Sequence, residues 1–174
     1  MEILCVIKRI TKKYSKKQSI LNLMYYIHGT GKNEENELCK YIIARGVIPK
    51  PEESANQMIA IQKLYGKTKG RRVNHWIISF SEDITDFKVV TQVADAVADY
   101  FFKDYQVFGG VHTSTDNFHI HFAVNTVSYI DGIKWHKSRR DFKDFRQNIL
   151  DIVNSLMEQT GYQCLDIKEQ TECI

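Results

Sequence analysis

Residues 119–125 read HIHFAVN, and this alternation constrains the fold more than any other stretch of the chain. Successive side chains on a β-strand point to opposite faces. His119 and His121 therefore share one face with Ala123 and Asn125, while Ile120, Phe122 and Val124 share the other. A strand with that apolar side needs a second layer over it, which calls for a sheet packed against helices. The other face projects two imidazoles in parallel, roughly 6–7 Å apart at the backbone, an arrangement that can chelate a divalent ion. His112, on the apolar run 105–113, can add a third imidazole across a hairpin closed by the polar segment Ser114 to Phe118. Three neutral imidazoles with open positions suit a catalytic ion better than a closed structural one. Paired histidines on a strand are often plain polar surface or hydrogen-bonded core, but three at this spacing opposite an apolar face favour the metal. Asp116 and Asn125 are near enough in sequence to orient an imidazole from behind, although Asp116 suits capping the turn equally well.

The rest of the chain supplies the layers. Residues 2–10 and 75–80 (HWIISF) read as strands. Ile20, Leu23, Met24 and Ile27 form a helical stripe that stops at Gly29 and Gly31. Ser54 with Gln57 makes a capping-box signature for a helix running to Tyr65. Val89 to Phe101 is a long amphipathic helix after Thr85, and a last helix runs from about Arg140 to Thr160, with Ser138 at its start and Gly161 as its stop. Residues 30–50, with an acidic patch at Glu34, Glu35 and Glu37, carry no clear period. The expected architecture is α+β: an antiparallel or mixed central sheet of about five strands flanked by helices, all in one domain over residues 1–174.

Of the 174 residues, 24 are Lys or Arg and 21 Asp or Glu, so the net charge of +3 says little. Its distribution says more: residues 1–75 hold 15 basic against 6 acidic residues, and the remainder 9 against 15. One basic cluster spans Lys8 to Lys17 and includes Lys12 and Lys13; a second comprises Lys67, Lys69, Arg71 and Arg72. Both suit a phosphate backbone, although short Lys-rich loops are also ordinary solubilising surface. Tyr65, Trp76 and Trp135 are aromatic candidates for base stacking; Trp76 alternates with Ile78 and Phe80 and belongs with the core, which leaves Trp135 as the better candidate. No apolar run reaches the length of a bilayer span, and the sequence reads as cytoplasmic without membrane insertion. Cys5, Cys39, Cys164 and Cys173 form no C-x-x-C pair and read as reduced thiols.

The motif His119-Ile120-His121, with His112 seven residues earlier, Asn125 four residues later, the HWIISF strand and the basic KSRRDFKDFR run, resembles the HUH endonucleases, and among them the relaxases, the mobilisation nucleases of conjugative plasmids and integrative elements. A tyrosine ahead of the histidines agrees with relaxases; in replication initiators of the same superfamily it follows them. The resemblance implies a nucleophile in SILNLMYYIHGTGK, at Tyr26 by the family pattern. Periodicity alone leaves both Tyr25 and Tyr26 off the apolar stripe, and related enzymes with a histidine nucleophile make His28 a third candidate. Many relaxases carry Asp two residues after the first histidine; Ser114 stands there in this chain.

The resemblance further implies a divalent ion on His112, His119 and His121, Mn or Mg first, with Zn, Ni and Co also compatible. The implied activity is strand-specific nicking of single-stranded DNA at an origin of transfer, through a 5′-phosphotyrosyl intermediate, followed by rejoining. The implied partners are that DNA, accessory origin-binding proteins and a coupling protein. Lys12, Lys13, Lys67, Lys69, Arg71, Arg72, Arg139 and Arg140 are the candidate DNA contacts. The alternatives are a replication initiator or transposase of the same superfamily and a noncatalytic module that binds metal and single-stranded DNA. An amidohydrolase barrel would need about 250 residues.

Overall fold

The computed structural model describes residues 2–31, 38–113, 116–136 and 138–166. Glu34, Glu35, Glu37, Ser114 and Cys173 lie outside them. In chain order the elements are β1 (Glu2–Arg9), α1 (Lys17–His28), β2 (Cys39–Arg45), α2 (Pro51–Leu64), β3 (Val73–Ser79), α3 (Phe87–Phe102), β4 (Val107–His112), β5 (His119–Asn125), α4 (Arg139–Met157), a 3-10 turn (Glu158–Thr160) and β6 (Gln163–Asp166). The strands form one sheet in the order β2-β4-β5-β3-β1-β6. The first five pair antiparallel, and β6 joins the edge parallel to β1.

Alternation on the central strands sorts the core into two layers. Trp76, Ile78, Val107, Val111, Ile120, Phe122 and Val124 face α3 and α4 and bury Val90, Val93, Val97, Phe101, Ile149 and Val153. The other face is also covered: Val73, Phe108 and Ala123 meet Ile20, Leu23, Met24 and Ile27 of α1 and Ala55, Met58 and Ile59 of α2. The histidine face is therefore roofed by two helices, and its polar side chains His75, His112, His121 and Asn125 are buried. Burying each large side chain contributes about 1.5–3 kcal/mol, so the roof is firmly held.

Several elements depart from the sequence expectations. α2 begins at Pro51, three residues ahead of the Ser54 capping box. Pro51 presets the first helical turn, Glu52 and Glu53 complement the positive helix end, and Ser54 Oγ instead donates to Lys50 O at 2.7 Å inside the helix. The helix after Thr85 is capped by Asp86, which accepts from Lys88 N–H. Ser138 caps α4 as expected, in a reciprocal box with Asp141. β2 arises from the unassigned stretch because an edge strand buries little, here only Ile43 fully. β6 brings Cys164 against Cys5, 159 residues away, and the two form a disulfide with Cα atoms 5.3 Å apart. The expectation of reduced thiols is thus corrected for this pair, while Cys39 stays a free thiol whose pKa burial raises. No helix among the described residues is long and apolar enough to cross a membrane.

Candidate active site

Register gathers the histidines. His112 on β4 lies opposite His119 on β5, and His121 lies opposite Gly110 on one side and Ile77 of β3 on the other. His75 of β3 pairs with Ala123 and so projects from the same face. His75, His112 and His121 are buried and His119 is half-buried. The His112 and His121 ring centroids are 4.5 Å apart, and those of His119 and His121 are 6.4 Å apart.

Gly110 makes this packing possible. A Cβ there would stand 2.6 Å from Ile27 O and 2.8 Å from Cys39 Sγ, so only glycine lets the last turn of α1 settle onto the sheet. His112 Nε2 donates to Ile27 O at 2.7 Å. A carbonyl can only accept, so Nε2 carries the hydrogen and a neutral His112 ring keeps its lone pair on Nδ1.

The end of α1 also delivers the tyrosine. Gly29, at φ +79°, closes the helix, with its N–H donating to Tyr26 O and the Thr30 N–H donating to Tyr25 O. Ile20, Leu23, Met24 and Ile27 point into the core, and Tyr26 lies beside that stripe over the histidines. Its ring meets His121, His112 and His75 edge-on at centroid distances of 5.3, 5.5 and 6.4 Å. Tyr25 makes no such ring contact with an imidazole among the described residues. His28 Nδ1 is 3.1 Å from Thr30 Oγ1.

Two members of the cluster were absent from the sequence-based candidates. His75 Nε2 is 3.0 Å from His121 Nδ1, and His75 Nδ1 is 3.0 Å from the hydroxyl of Tyr14. The alternation that sends Trp76 and Ile78 to the apolar face already puts His75 on the face of His119 and His121; Tyr14 left no comparable signal. Burial first, then His121, His112 and Lys8, holds the His75 pKa well below the usual histidine value, so its ring is neutral.

Burial also pushes the Tyr14 pKa up to about 12, with Arg71 opposing and Tyr26 reinforcing. An unfolded tyrosine ionises near pH 10, so this group's stabilisation is complete below about pH 10 and is lost as pH rises towards about 12. Denaturant unfolding followed from about pH 9 to about pH 12 should reveal a loss on the order of 2 kcal/mol from Tyr14, and Tyr14→Phe should flatten that part of the profile.

Other expected site residues lie elsewhere. Asn125 is fully buried at the far end of β5, where its amide donates to Met58 O and Gln106 Oε1 and its oxygen accepts from Gln62. It ties α2 to the sheet and is too far along the strand to support an imidazole. Asp116 is exposed in the β4–β5 turn. Arg72 is 8% exposed and donates to Gln62 Oε1 at 2.7 Å, which makes it part of the core. Arg71 donates to the backbone oxygens of Ile10, Thr11 and Lys12. Lys12, Lys13, Lys67, Lys69 and Arg140 are exposed, and the Arg139 side chain lies outside the described residues. Trp135 packs edge-on against Phe145 at 4.7 Å and against Tyr105, so it is core and not a stacking platform. Tyr65 is half-buried against Gly132.

Among the described residues no three His, Cys, Asp or Glu side chains form a ready-made metal cage. His112 Nε2 is turned to Ile27 and His121 Nδ1 to His75. The donor chemistry nonetheless fits a divalent ion: His112, His119 and His121 place three imidazoles on neighbouring positions of one face.

Residues 26–161 match the family model described as Relaxase: MobA/VirD2-like, nuclease domain. Two proteins of Staphylococcus aureus, each named Protein rlx, are 33% identical over 81 residues and 27% identical over 88 residues. These stretches cover 45% and 51% of this chain, and the chain spans only about a quarter of the length of these curated relatives, 25% and 27%. Among solved structures, one described as the molecular basis of vancomycin resistance transfer in Staphylococcus aureus superposes with a TM-score of 0.64 at 12% identity, covering 95% of this chain and 99% of that one. The manganese-bound MobM relaxase domain, in complex with origin-of-transfer DNA of plasmid pMV158, superposes with a TM-score of 0.63 at 14% identity, covering 98% of this chain and 93% of that one. At these identities the likeness establishes the fold.

Proposed function

The chain belongs to the MobA/VirD2-like relaxases, through their nuclease domain, and on that premise we propose that it cuts and rejoins one strand of DNA at an origin of transfer with Tyr26 as the nucleophile. The observation that carries this reading is the enclosure of the Tyr26 ring by His75, His112 and His121.

The Tyr26 oxygen attacks the scissile phosphorus, the P–O3′ bond breaks, and the leaving 3′ oxygen takes up a proton as the tyrosine hydroxyl loses one. The product is a 5′-phosphotyrosyl strand and a free 3′-OH. One phosphodiester is exchanged for another, so the reverse attack by a 3′-OH restores the strand. A phenol with an ordinary pKa near 10 is a weak nucleophile at neutral pH and needs positive charge nearby. His112, His119 and His121 would hold a divalent ion, which when bound supplies that charge and polarises the phosphate. The manganese in the MobM relaxase structures supports a divalent ion here, and the DNA in them supports a single-stranded origin substrate. Accessory origin-binding proteins, a coupling protein and a cytoplasmic setting complete the proposal.

Incubation with labelled single-stranded origin oligonucleotides and Mn²⁺ should yield a protein–DNA adduct that survives SDS and disappears with a chelator. Metal-sensitive DNA binding without any adduct would instead favour the noncatalytic module.

Exposed lysines provide the path for the DNA backbone. Lys67→Ala and Lys69→Ala should each lower the slope of log affinity against log salt by roughly 0.7 for every phosphate charge the lysine no longer neutralises. Arg72→Ala should leave that slope unchanged and destabilise the fold by about 1–3 kcal/mol, because it strands Gln62 in the core. A fall in slope for Arg72→Ala in a fully stable protein would return this residue to the DNA surface.

A further inference from the structure

We infer that Tyr14 and His75 form a hydrogen-bond relay that holds the His121 ring with its hydrogen on Nδ1 and its lone pair on Nε2, and so sets the affinity of the histidine site for a divalent ion. The inference rests on the reading of His121 as a ligand and adds two positioning residues to it.

Neutral imidazole has two tautomers, and the hydrogen bond at one nitrogen decides which the other presents. His121 Nδ1 lies 3.0 Å from His75 Nε2, so one of the two donates. Donation from His121 puts the His75 hydrogen on Nδ1, where the Tyr14 oxygen, 3.0 Å away, accepts it. Run in this direction, the relay leaves His121 Nε2 ready to coordinate. Run in reverse, it places a hydrogen there and blocks coordination. His75 is 5% exposed and Tyr14 7%, so water does not compete for either bond.

The backbone is arranged around this relay. Tyr14 sits at φ +46°, a left-handed conformation that a bulky side chain adopts at a cost and that surrounding contacts must impose. Arg71 braces the segment just ahead of Tyr14 by donating to the carbonyls of Ile10, Lys12 and Thr11 at 3.1, 2.9 and 2.7 Å, and the Arg72 N–H adds a bond to Lys13 O at 3.1 Å. Both arginines stand immediately before β3, the strand that carries His75. A single backbone segment thus fixes the loop that presents Tyr14 and the ring that Tyr14 meets. The other buried ligand candidate is treated alike, since Ile27 O determines the tautomer of His112.

Two measurements test the relay. Long-range ¹H–¹⁵N NMR of the metal-free wild-type chain should show the His121 hydrogen on Nδ1; finding it on Nε2 overturns the inference without any mutation. Calorimetric Mn²⁺ titration should then show affinity weakened roughly 10- to 100-fold in His75→Leu. His75→Gln should recover much of the loss, because its amide oxygen can accept from His121, and Tyr14→Phe should lose less than His75→Leu. A folded His75→Leu variant that binds Mn²⁺ as tightly as wild type overturns the relay. His121→Ala separates the two readings: undiminished Mn²⁺ affinity there removes the ligand assignment itself, whereas loss in His121→Ala with none in His75→Leu removes only the relay.

Discussion

Tyr26→Phe is expected to abolish the covalent protein–DNA adduct, with strand cleavage falling by a factor on the order of 10⁴ or more, as when a nucleophile is deleted from an enzyme that depends on it. The phenylalanine ring preserves the edge-on contacts with His75, His112 and His121, so the fold and single-strand binding should survive. Tyr25→Phe, one residue earlier on the same helix end, should keep full adduct formation. Labelled-oligonucleotide gels of the two variants, with melting curves alongside, separate a lost nucleophile from a lost fold. An adduct that persists in Tyr26→Phe and vanishes in Tyr25→Phe would move the nucleophile by one position and overturn the assignment.

Gly110→Ala carries the second large effect, and it acts at a distance from any reacting atom. The added methyl would lie 2.6 Å from Ile27 O and 2.8 Å from Cys39 Sγ, and a backbone carbonyl cannot yield as the tip of a flexible side chain does. The last turn of α1 must then lift from the sheet, the bond from His112 to Ile27 O must lengthen, and Tyr26 must move with its helix. We expect a loss of about 1–3 kcal/mol in denaturant unfolding, typical of overpacking, together with a fall in adduct formation that exceeds the loss of folded protein. Gly66→Ala is the control, because nothing lies within 4 Å of its added Cβ. Its φ of +64° costs stability on the order of 1 kcal/mol, and adduct formation by the folded fraction should be unaffected. A Gly110→Ala variant as stable and active as wild type would show that α1 does not depend on close approach to the sheet.

Elements marked by a period or a cap could be read from the residues themselves. The His119 and Ile120 faces of β5, the buried stripe of α1, the cap of α4 at Ser138 and the amphipathic α3 all follow from neighbours within about a turn or two of one another. Elements whose stability comes from distant partners were misplaced or missed. β2 holds its place by pairing with β4, and β6 by lying along β1. Charge and residue type misled for the same reason: Arg72 and Trp135 have the composition of a DNA surface, and Asn125 has that of an imidazole's supporting partner, yet the packing around all three makes them interior.

By itself, then, the sequence determined which residues share a face: strand and helix geometry repeat over a few residues, and the histidine pair, the tyrosine pair and the apolar stripes obey those repeats wherever the chain goes. Alternation puts His75 on the histidine face and the family pattern points to Tyr26, but tertiary structure alone decided that both rings meet His121, that Tyr14 meets His75, and that Cys5 meets Cys164. His112 meets Ile27 across 85 positions, Tyr14 meets His75 across 61, and His75 meets His121 across 46. Contacts at such separations are set by how the layers pack, and no local period encodes them.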